Sequence, residues 1–236
     1  MTDYTVDPQF GRLSYSVRRY FVDEYYSHQV SRLPSGSRVL DIGGHKTRKR
    51  GQFDVRRYDL DVTYVNIEAT RQPDAQAEAA HLPFADTCFD AAICAELLEH
   101  VPDPKTVLGE TFRILRKGGI ILLTVPFLYH IHADPYDFGR YTNQYWRCTL
   151  QEIGFQDLVI ERQGLFYSVL ADFLKQRANR LNIPKPFGRV SRWLMTRLFI
   201  APLQRWGFRR EQRRPVQSDP FIRSFTTGFG VRGTKA

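Results

Sequence analysis

The chain has 236 residues, of which 42% are hydrophobic and 25% charged, with a formal net charge of +9; this balance excludes a disordered chain, and the length suits one α/β domain with an insertion. Its three cysteines, Cys88, Cys94 and Cys148, form no CxxC pair, which argues against a disulfide framework and for free thiols. No run approaches the ~18 apolar residues of a membrane span, and the polar start from Met1 to Phe10 lacks the basic and apolar parts of a signal peptide, so a cytoplasmic location is expected, with room for peripheral contact at the inner face of a membrane.

From the N-terminus, Leu13, Val17, Phe21 and Tyr25 fall on a helical period, predicting an amphipathic helix over Leu13–Leu33 that Pro34-Ser35-Gly36 ends. Arg38–Ile42 (RVLDI) reads as a short apolar strand stopped by Gly43-Gly44, and Val62–Ile67 (VTYVNI) as a second, rich in β-branched residues. A faint third strand falls near Glu78–Leu82, and Phe89–Ala95 (FDAAICA) is a clear fourth. Asp103-Pro104 opens a helix to about Leu115, with Gly118 as its stop. Ile120–Val125 (IILLTV) is apolar throughout, as in a buried parallel sheet. Thr142 caps a further helix that ends at Gly154, and Leu158–Ile160 is a sixth strand. A helical insertion from about Ser168 to Arg210 precedes a last strand near Phe225–Val231. Strands alternating with helices imply a parallel sheet with right-handed crossovers. A single domain over 1–236 is expected, made of an N-terminal helical segment (1–36), a ligand-binding core (37–167), a basic helical insertion or lid (168–214) and a final strand and tail (215–236).

Ligands of such sheets bind beyond the carboxyl ends of the strands. Asp41, Gly43 and Gly44 end the first strand, where glycine lets a backbone approach a ligand closely. Glu68 ends the second, where an acid can accept hydrogen bonds from ribose hydroxyls. The segments VLDIGG, NIE, HLPFADTCFDAAICAELLEHVPDP and ETFRILRKGGIILLTVPF together resemble the class I methyltransferases, specifically the small-molecule branch with a type 11 methyltransferase domain, similar to ubiquinone-biosynthesis methylases. The resemblance spans about Arg38 to Ile160. It implies a Rossmann-like, seven-stranded, mostly parallel sheet with the helical insertion before the last strand. It also implies S-adenosylmethionine as cofactor, with Asp41, Gly43, Gly44 and His45 around its methionine part and Glu68 on the ribose. Glu78 and Leu82 fall near the adenine, and Glu96 and His100 in the segment after the fourth strand. The family's Gly-x-Gly-x-Gly is here Gly43-Gly44-His45-Lys46, followed by the basic stretch Thr47–Gly51. Without G-x-G-x-x-G, a nicotinamide cofactor is disfavoured.

After the fourth strand the chain has Ala95-Glu96-Leu97-Leu98, not the [Asp/Asn]-Pro-Pro-[Phe/Tyr] of base-amine methylases, and no paired catalytic cysteines are evident. An oxygen acceptor on a small molecule or glycan, free or lipid-linked, is the expectation, with carbon the weaker alternative. The loop from Pro126 to Thr142 gathers two His, two Asp, one Arg and three Tyr where an acceptor should lie. Methyl transfer to an alcohol needs alignment and a place for the proton. His132 and His130 are the candidate bases, Asp134 or Asp137 the groups orienting them, and His100 a third imidazole. Tyr129, Tyr136, Arg140 and Tyr141 are candidate acceptor contacts. His130, His132 and Asp134 lack a firm ligand spacing, so no metal is expected.

Between Lys175 and Arg214 stand twelve Lys or Arg and one acid, Glu211, an excess larger than the charge of the whole chain. Leu194, Met195, Leu198 and Phe199 share an arc flanked by Arg189, Arg192, Arg205, Arg209 and Arg210, with Trp193 and Trp206 at either end. That composition suits contact with an anionic membrane through 189–210, or a lid over the acceptor; a nucleic-acid partner is the weaker expectation. Two rival readings are a non-catalytic binder that keeps the methyltransferase fold, and an RNA methyltransferase with strongly salt-dependent affinity.

Overall fold

A computed structural model describes residues 15–47, 51–181 and 187–236. The predicted helix start at Leu13, the basic residues 48–50 and the side chains of Arg189 and Arg192 lie outside the described residues. Contacts gather the chain into two compact units. One takes in residues 25–161 and 229–236, and the other residues up to 24 together with 162–228.

The first unit holds a seven-stranded sheet: β1 (Arg38–Ile42), β2 (Asp61–Asn66), β3 (Ala75–Gln76), β4 (Phe89–Ala95), β5 (Leu115–Pro126), β6 (Phe155–Arg162) and β7 (Gly228–Lys235). Their order across the sheet is β3-β2-β1-β4-β5-β7-β6. β1 pairs in parallel with β2 and with β4, β2 with β3, and β4 with β5. β7 runs against its neighbours. Phe229 meets Phe127 and Gly233 faces Ile121, so rising numbers on β7 meet falling numbers on β5. The chain steps outward from β1 in one direction to β2 and β3, and in the other to β4 and β5. Between β1 and β4 the order reverses, the place where sheets of this kind carry a ligand crevice beyond the strands' carboxyl ends.

Central strands read as apolar runs because both faces are covered. Leu40, Ile42, Ala92, Cys94, Ile121 and Leu123 are all buried to within 1% exposure. Helix α2 (Pro104–Ile114) starts where the Asp103 carboxylate accepts the Lys105 N–H and Pro104 takes the first turn. Its Val107, Leu108 and Ile114 enter the same core. Helix α3 (Asn143–Ile153) is capped by Thr142 and closed by Gly154 at φ +116°, and adds Trp146 and Leu150. Full burial of each aliphatic side chain contributes ~1.5–3 kcal/mol.

Several boundaries differ from the sequence reading, and three of them have a local cause. The third strand is Ala75–Gln76, ahead of the expected Glu78–Leu82, because Asp74 and not Glu78 ties this edge down: its carboxylate accepts the Tyr64 N–H at 3.0 Å. Helix α2 ends at Ile114, and Leu115 already pairs with Phe89. Arg116–Gly119 then bulges out before Ile120 rejoins Ala91, and Gly118 at φ +75° serves that bulge, not the helix end. The last strand starts at Gly228, since Phe225 packs with Phe166 and Phe221 in the helical unit.

Helix α1 (Val17–Val30) begins in the helical unit and continues into the sheet unit. In the helical unit its Tyr20 and Phe21 rings lie 5.5 and 5.3 Å from Phe208. In the sheet unit the Tyr26 hydroxyl donates to the Cys94 carbonyl at 3.0 Å. The helical unit also holds α4 (Phe166–Asn179), α5 (Phe187–Met195), a π turn (Thr196–Ile200), α6 (Ala201–Glu211), α7 (Arg214–Ser218) and α8 (Pro220–Arg223). It is fastened by buried polar groups. Asp172 accepts the Val17 N–H, Lys175 donates to the Tyr15 carbonyl, and Glu211 takes the Ser168 hydroxyl and N–H.

Candidate active site

The crevice at the β1–β4 reversal is built by backbone approach. Gly43, at φ +75°, donates its N–H to the Val65 carbonyl at 2.8 Å, binding the loop to β2. A Cβ on Gly43 would sit 3.0 Å from the Leu97 side chain, and one on Gly44 would fall 2.2 Å from the Asp41 carboxylate. The loop therefore folds back on the buried Asp41: a side chain at Gly44 would displace the Asp41 carboxylate, and one at Gly43 would be strained by its positive φ. Asn66, buried at the end of β2, donates from Nδ2 to the Gly43 and Gly44 carbonyls at 2.9 and 3.0 Å. Its Oδ1 accepts the Glu68 N–H at 2.9 Å. One amide thus joins the glycine loop to the Glu68 turn.

Glu68 is half exposed at the crevice and pairs with Arg71 at 2.8 Å, whose Nη1 lies 3.1 Å from His45 Nδ1. Glu96 follows β4 at φ +51°, a left-handed conformation costly for a non-glycine residue, and its N–H is held by the Thr124 carbonyl. Glu78 stands in the loop after β3, mostly exposed and 3.9 Å from His81. Leu82 is turned into the core. Its N–H goes to Glu110 and its carbonyl accepts from Arg113, so it supports the crevice from within. The glycine cradle, the Asp41 carboxylate against it and an exposed acid one strand away fit a nucleoside joined to an amino-acid chain.

The second half of the site stands on the turn Leu98–His100 after β4 and on the loop from Pro126 to Thr142. Leu97, which touches Gly43, leads into that turn, so both halves share one segment. Asp137 organises the loop. Arg140 binds it with both terminal nitrogens at 2.5 and 2.8 Å, and it accepts the His132 N–H at 2.8 Å. The Arg140 guanidinium holds the Asp137 carboxyl down at about 2. His132 Nδ1 faces two acceptors, the His130 carbonyl at 3.3 Å and Asp137 at 3.5 Å, against one donor, Arg140 Nη2 at 3.4 Å. We assign its proton to Nδ1 and its lone pair to Nε2. Burial, and then the neighbouring His100, lower the His132 pKa, so the ring is neutral at pH 7.

His100 and His132 lie 4.9 Å apart edge to face, and His130 and Tyr129 lie 5.8 and 5.3 Å from His132. His100 Nδ1 meets the Tyr136 carbonyl at 2.6 Å, and its Nε2 stands 3.6 Å from the buried Glu99. The three imidazoles expected from the sequence are thus brought together. Asp134 is exposed and stands apart from the Glu99–His100–His132 group, whose ligand atoms all lie within 4.8 Å of one another. Tyr136 is 65% exposed. Tyr141 stacks on Tyr145 at 4.2 Å and packs against the core, and Arg140 is committed to Asp137, so these two build the wall. Glu99 and Asn66 had no place among the expected site residues. The signal for Asn66 was a lone amide ending the apolar run VTYVN.

Residues 40–123 match the family described as a methyltransferase domain. A methyltransferase of Mycobacterium sp. (strain KMS), named as uncharacterized, is 33% identical over 115 residues, covering 44% of this chain and 44% of its own. The ubiquinone/menaquinone biosynthesis C-methyltransferase of Xylella fastidiosa (strain M12) is 30% identical over 119 residues, covering 43% and 45%. The chain thus spans less than half the length of these curated relatives. Among solved structures, an S-adenosylmethionine-dependent methyltransferase from Archaeoglobus fulgidus superposes with a TM-score of 0.55 at 14% identity, over 92% of this chain and 94% of that one. This last likeness is one of fold.

Proposed function

We propose, from the premise that residues 40–123 form a class I methyltransferase domain whose cofactor is S-adenosylmethionine, that the chain methylates an oxygen of a small-molecule or saccharide acceptor. The observation that carries this reading is the imidazole of His132, held by Asp137 and His130 and set 4.9 Å from His100, which stands on the turn that Leu97 joins to the cofactor crevice. When bound, S-adenosylmethionine supplies an electrophilic methyl: a C–O bond forms as the S–CH3 bond breaks, the sulfonium becomes a thioether, and the acceptor loses its O–H proton.

Asp41, the Gly43-Gly44 cradle and Glu68 bind and orient the cofactor. His132 Nε2 takes the proton. His100 and Glu99 stand beside it as the onward path for that proton, and Tyr129 offers an aromatic wall to a sugar or ring. A positioned base contributes about 10²–10⁴-fold, and alignment the larger share. Methyl-donor turnover against a panel of hydroxylated acceptors tests the reading. His132→Ala should lower kcat by about 10²–10⁴-fold with the cofactor Kd unchanged. The wild-type rate should persist to a pH below the ordinary imidazole value of ~6.5 before it falls. Unchanged turnover in the variant would remove His132 from the chemistry. One observation favours a second reading, the convergence of Glu99, His100 and His132 within 4.8 Å: a divalent cation could sit there and acidify the acceptor. Turnover abolished by a chelator and restored by a metal selects it.

A further inference from the structure

The helical unit carries a surface to which the proposed chemistry assigns no part. Among the described residues fifteen large apolar side chains stand exposed, and ten of them belong to this unit. So uneven a share marks an interaction surface rather than scattered exposure. Helix α5, the π turn and α6 run without a break from Phe187 to Glu211. One side, with Thr196, Ile200, Gln204, Phe208 and Glu211, is buried within the unit. The exposed side changes character along the axis. Trp193, Leu194, Leu198 and Phe199, the last 70% exposed, come first. Arg205, Trp206, Arg209 and Arg210 follow. At 1.5 Å per residue, Leu198 and Arg209 are separated by about 16 Å.

Charge reinforces the pattern. Glu211, the single acid between Lys175 and Arg214, is buried and accepts hydrogen bonds from Ser168 and Leu165. It therefore does not offset the exposed arginines. Lys175 is also buried, so the outward charge is arginine-dominated. Arg197 and Arg210 lie over the Trp193 and Trp206 rings at 5.3 and 5.7 Å, which ties the cations to the amphipathic rings that favour a headgroup layer. A phosphate-binding surface alone has no use for Leu198 and Phe199. An apolar partner alone has no use for four arginines.

We propose that this unit docks on an anionic lipid bilayer, with Trp193, Leu194, Leu198 and Phe199 entering the interface and Arg205, Arg209 and Arg210 bound to lipid phosphates. No helix among the described residues is long and apolar enough to cross a membrane, so the contact is peripheral. The docking stands apart from the methyl-transfer reading. Only its corollary, a lipid-linked acceptor, rests on that reading.

Sedimentation of the full chain with phosphatidylglycerol/phosphatidylcholine vesicles, at about 0.15 M salt, tests it. Binding is expected to these vesicles and to be at least tenfold weaker to phosphatidylcholine alone. Leu198→Ser with Phe199→Ser should weaken it about tenfold or more, and Arg209→Gln with Arg210→Gln about 25-fold, at roughly fivefold per cation. All four positions are exposed, so thermal melts of the variants should match the wild type. Absence of binding, or equal binding to both vesicle types, overturns the proposal. Binding that survives the Leu198/Phe199 pair but is lost with the arginine pair also overturns it, and shows a phosphate-binding surface instead. S-adenosylhomocysteine titration of the same preparations separates failure of this proposal from failure of the methyltransferase reading.

Discussion

Asn66 shows how one side chain sets the site. Its amide satisfies two loop carbonyls and one N–H across a gap of more than twenty residues, in a buried position where water cannot replace it. Loss of a buried hydrogen-bonding group costs about 1–3 kcal/mol. Asn66→Ala should therefore lower stability by that amount and weaken S-adenosylhomocysteine binding together with it, as read by thermal melts and calorimetry. A destabilised variant with unchanged affinity would mean that the amide only holds the fold. The glycines and Glu68 were legible because strand-end glycine and acid have a local meaning. Asn66 was not, because its meaning lies in a link to another strand that no local period reports. Leu82 shows the reverse case: the LPF segment marks the family, but burial gives its side chain to the core.

At the scale of elements, the Pro126–Thr142 loop is held by the Asp137–Arg140 pair more than by regular structure. The folded pKa of Asp137, about 2, lies below the ~3.9 of an unfolded aspartate. Its contribution is therefore complete above pH ~4 and is lost as pH falls toward 2. The shift corresponds to about 2–3 kcal/mol. Asp137→Asn should lower stability near neutral pH by about 2 kcal/mol, and the gap to the wild type should close as melts are taken from pH ~5 down to ~2.5. A gap independent of pH would show that the carboxylate's charge plays no part. The sequence showed that polar groups gather here. From sequence Asp137 stood as a group orienting a histidine and Arg140 as an acceptor contact; the fold pairs the two with one another, and Asp137 also holds the His132 N–H. The strand boundaries failed for a similar reason. β3 has two residues and no period to read, and Leu115 leaves its helix because pairing with Phe89 buries it fully.

On the scale of the whole molecule, the alternating strands and helices were enough to derive a parallel sheet, and the order β3-β2-β1-β4-β5-β7-β6 places Asp41, Gly43 and Gly44 where the strand order reverses. Charge divides as the fold does. The surplus of Lys and Arg lies in the segment from Lys175 to Arg214, within the helical unit, while the acids of the crevice, Asp41, Glu68 and Glu96, lie in the sheet unit. Composition revealed the basic segment. Only the fold shows that its single acid is turned inward and that its apolar residues are exposed. Calorimetric titration of the purified chain with S-adenosylmethionine and S-adenosylhomocysteine, with Glu68→Ala alongside, tests this account at its root. One micromolar site per chain is expected, weakened at least tenfold in the variant, as loss of a hydrogen bond to a charged group predicts. No binding to well-folded protein, or a dissociation constant that Glu68→Ala leaves unaltered, would contradict it.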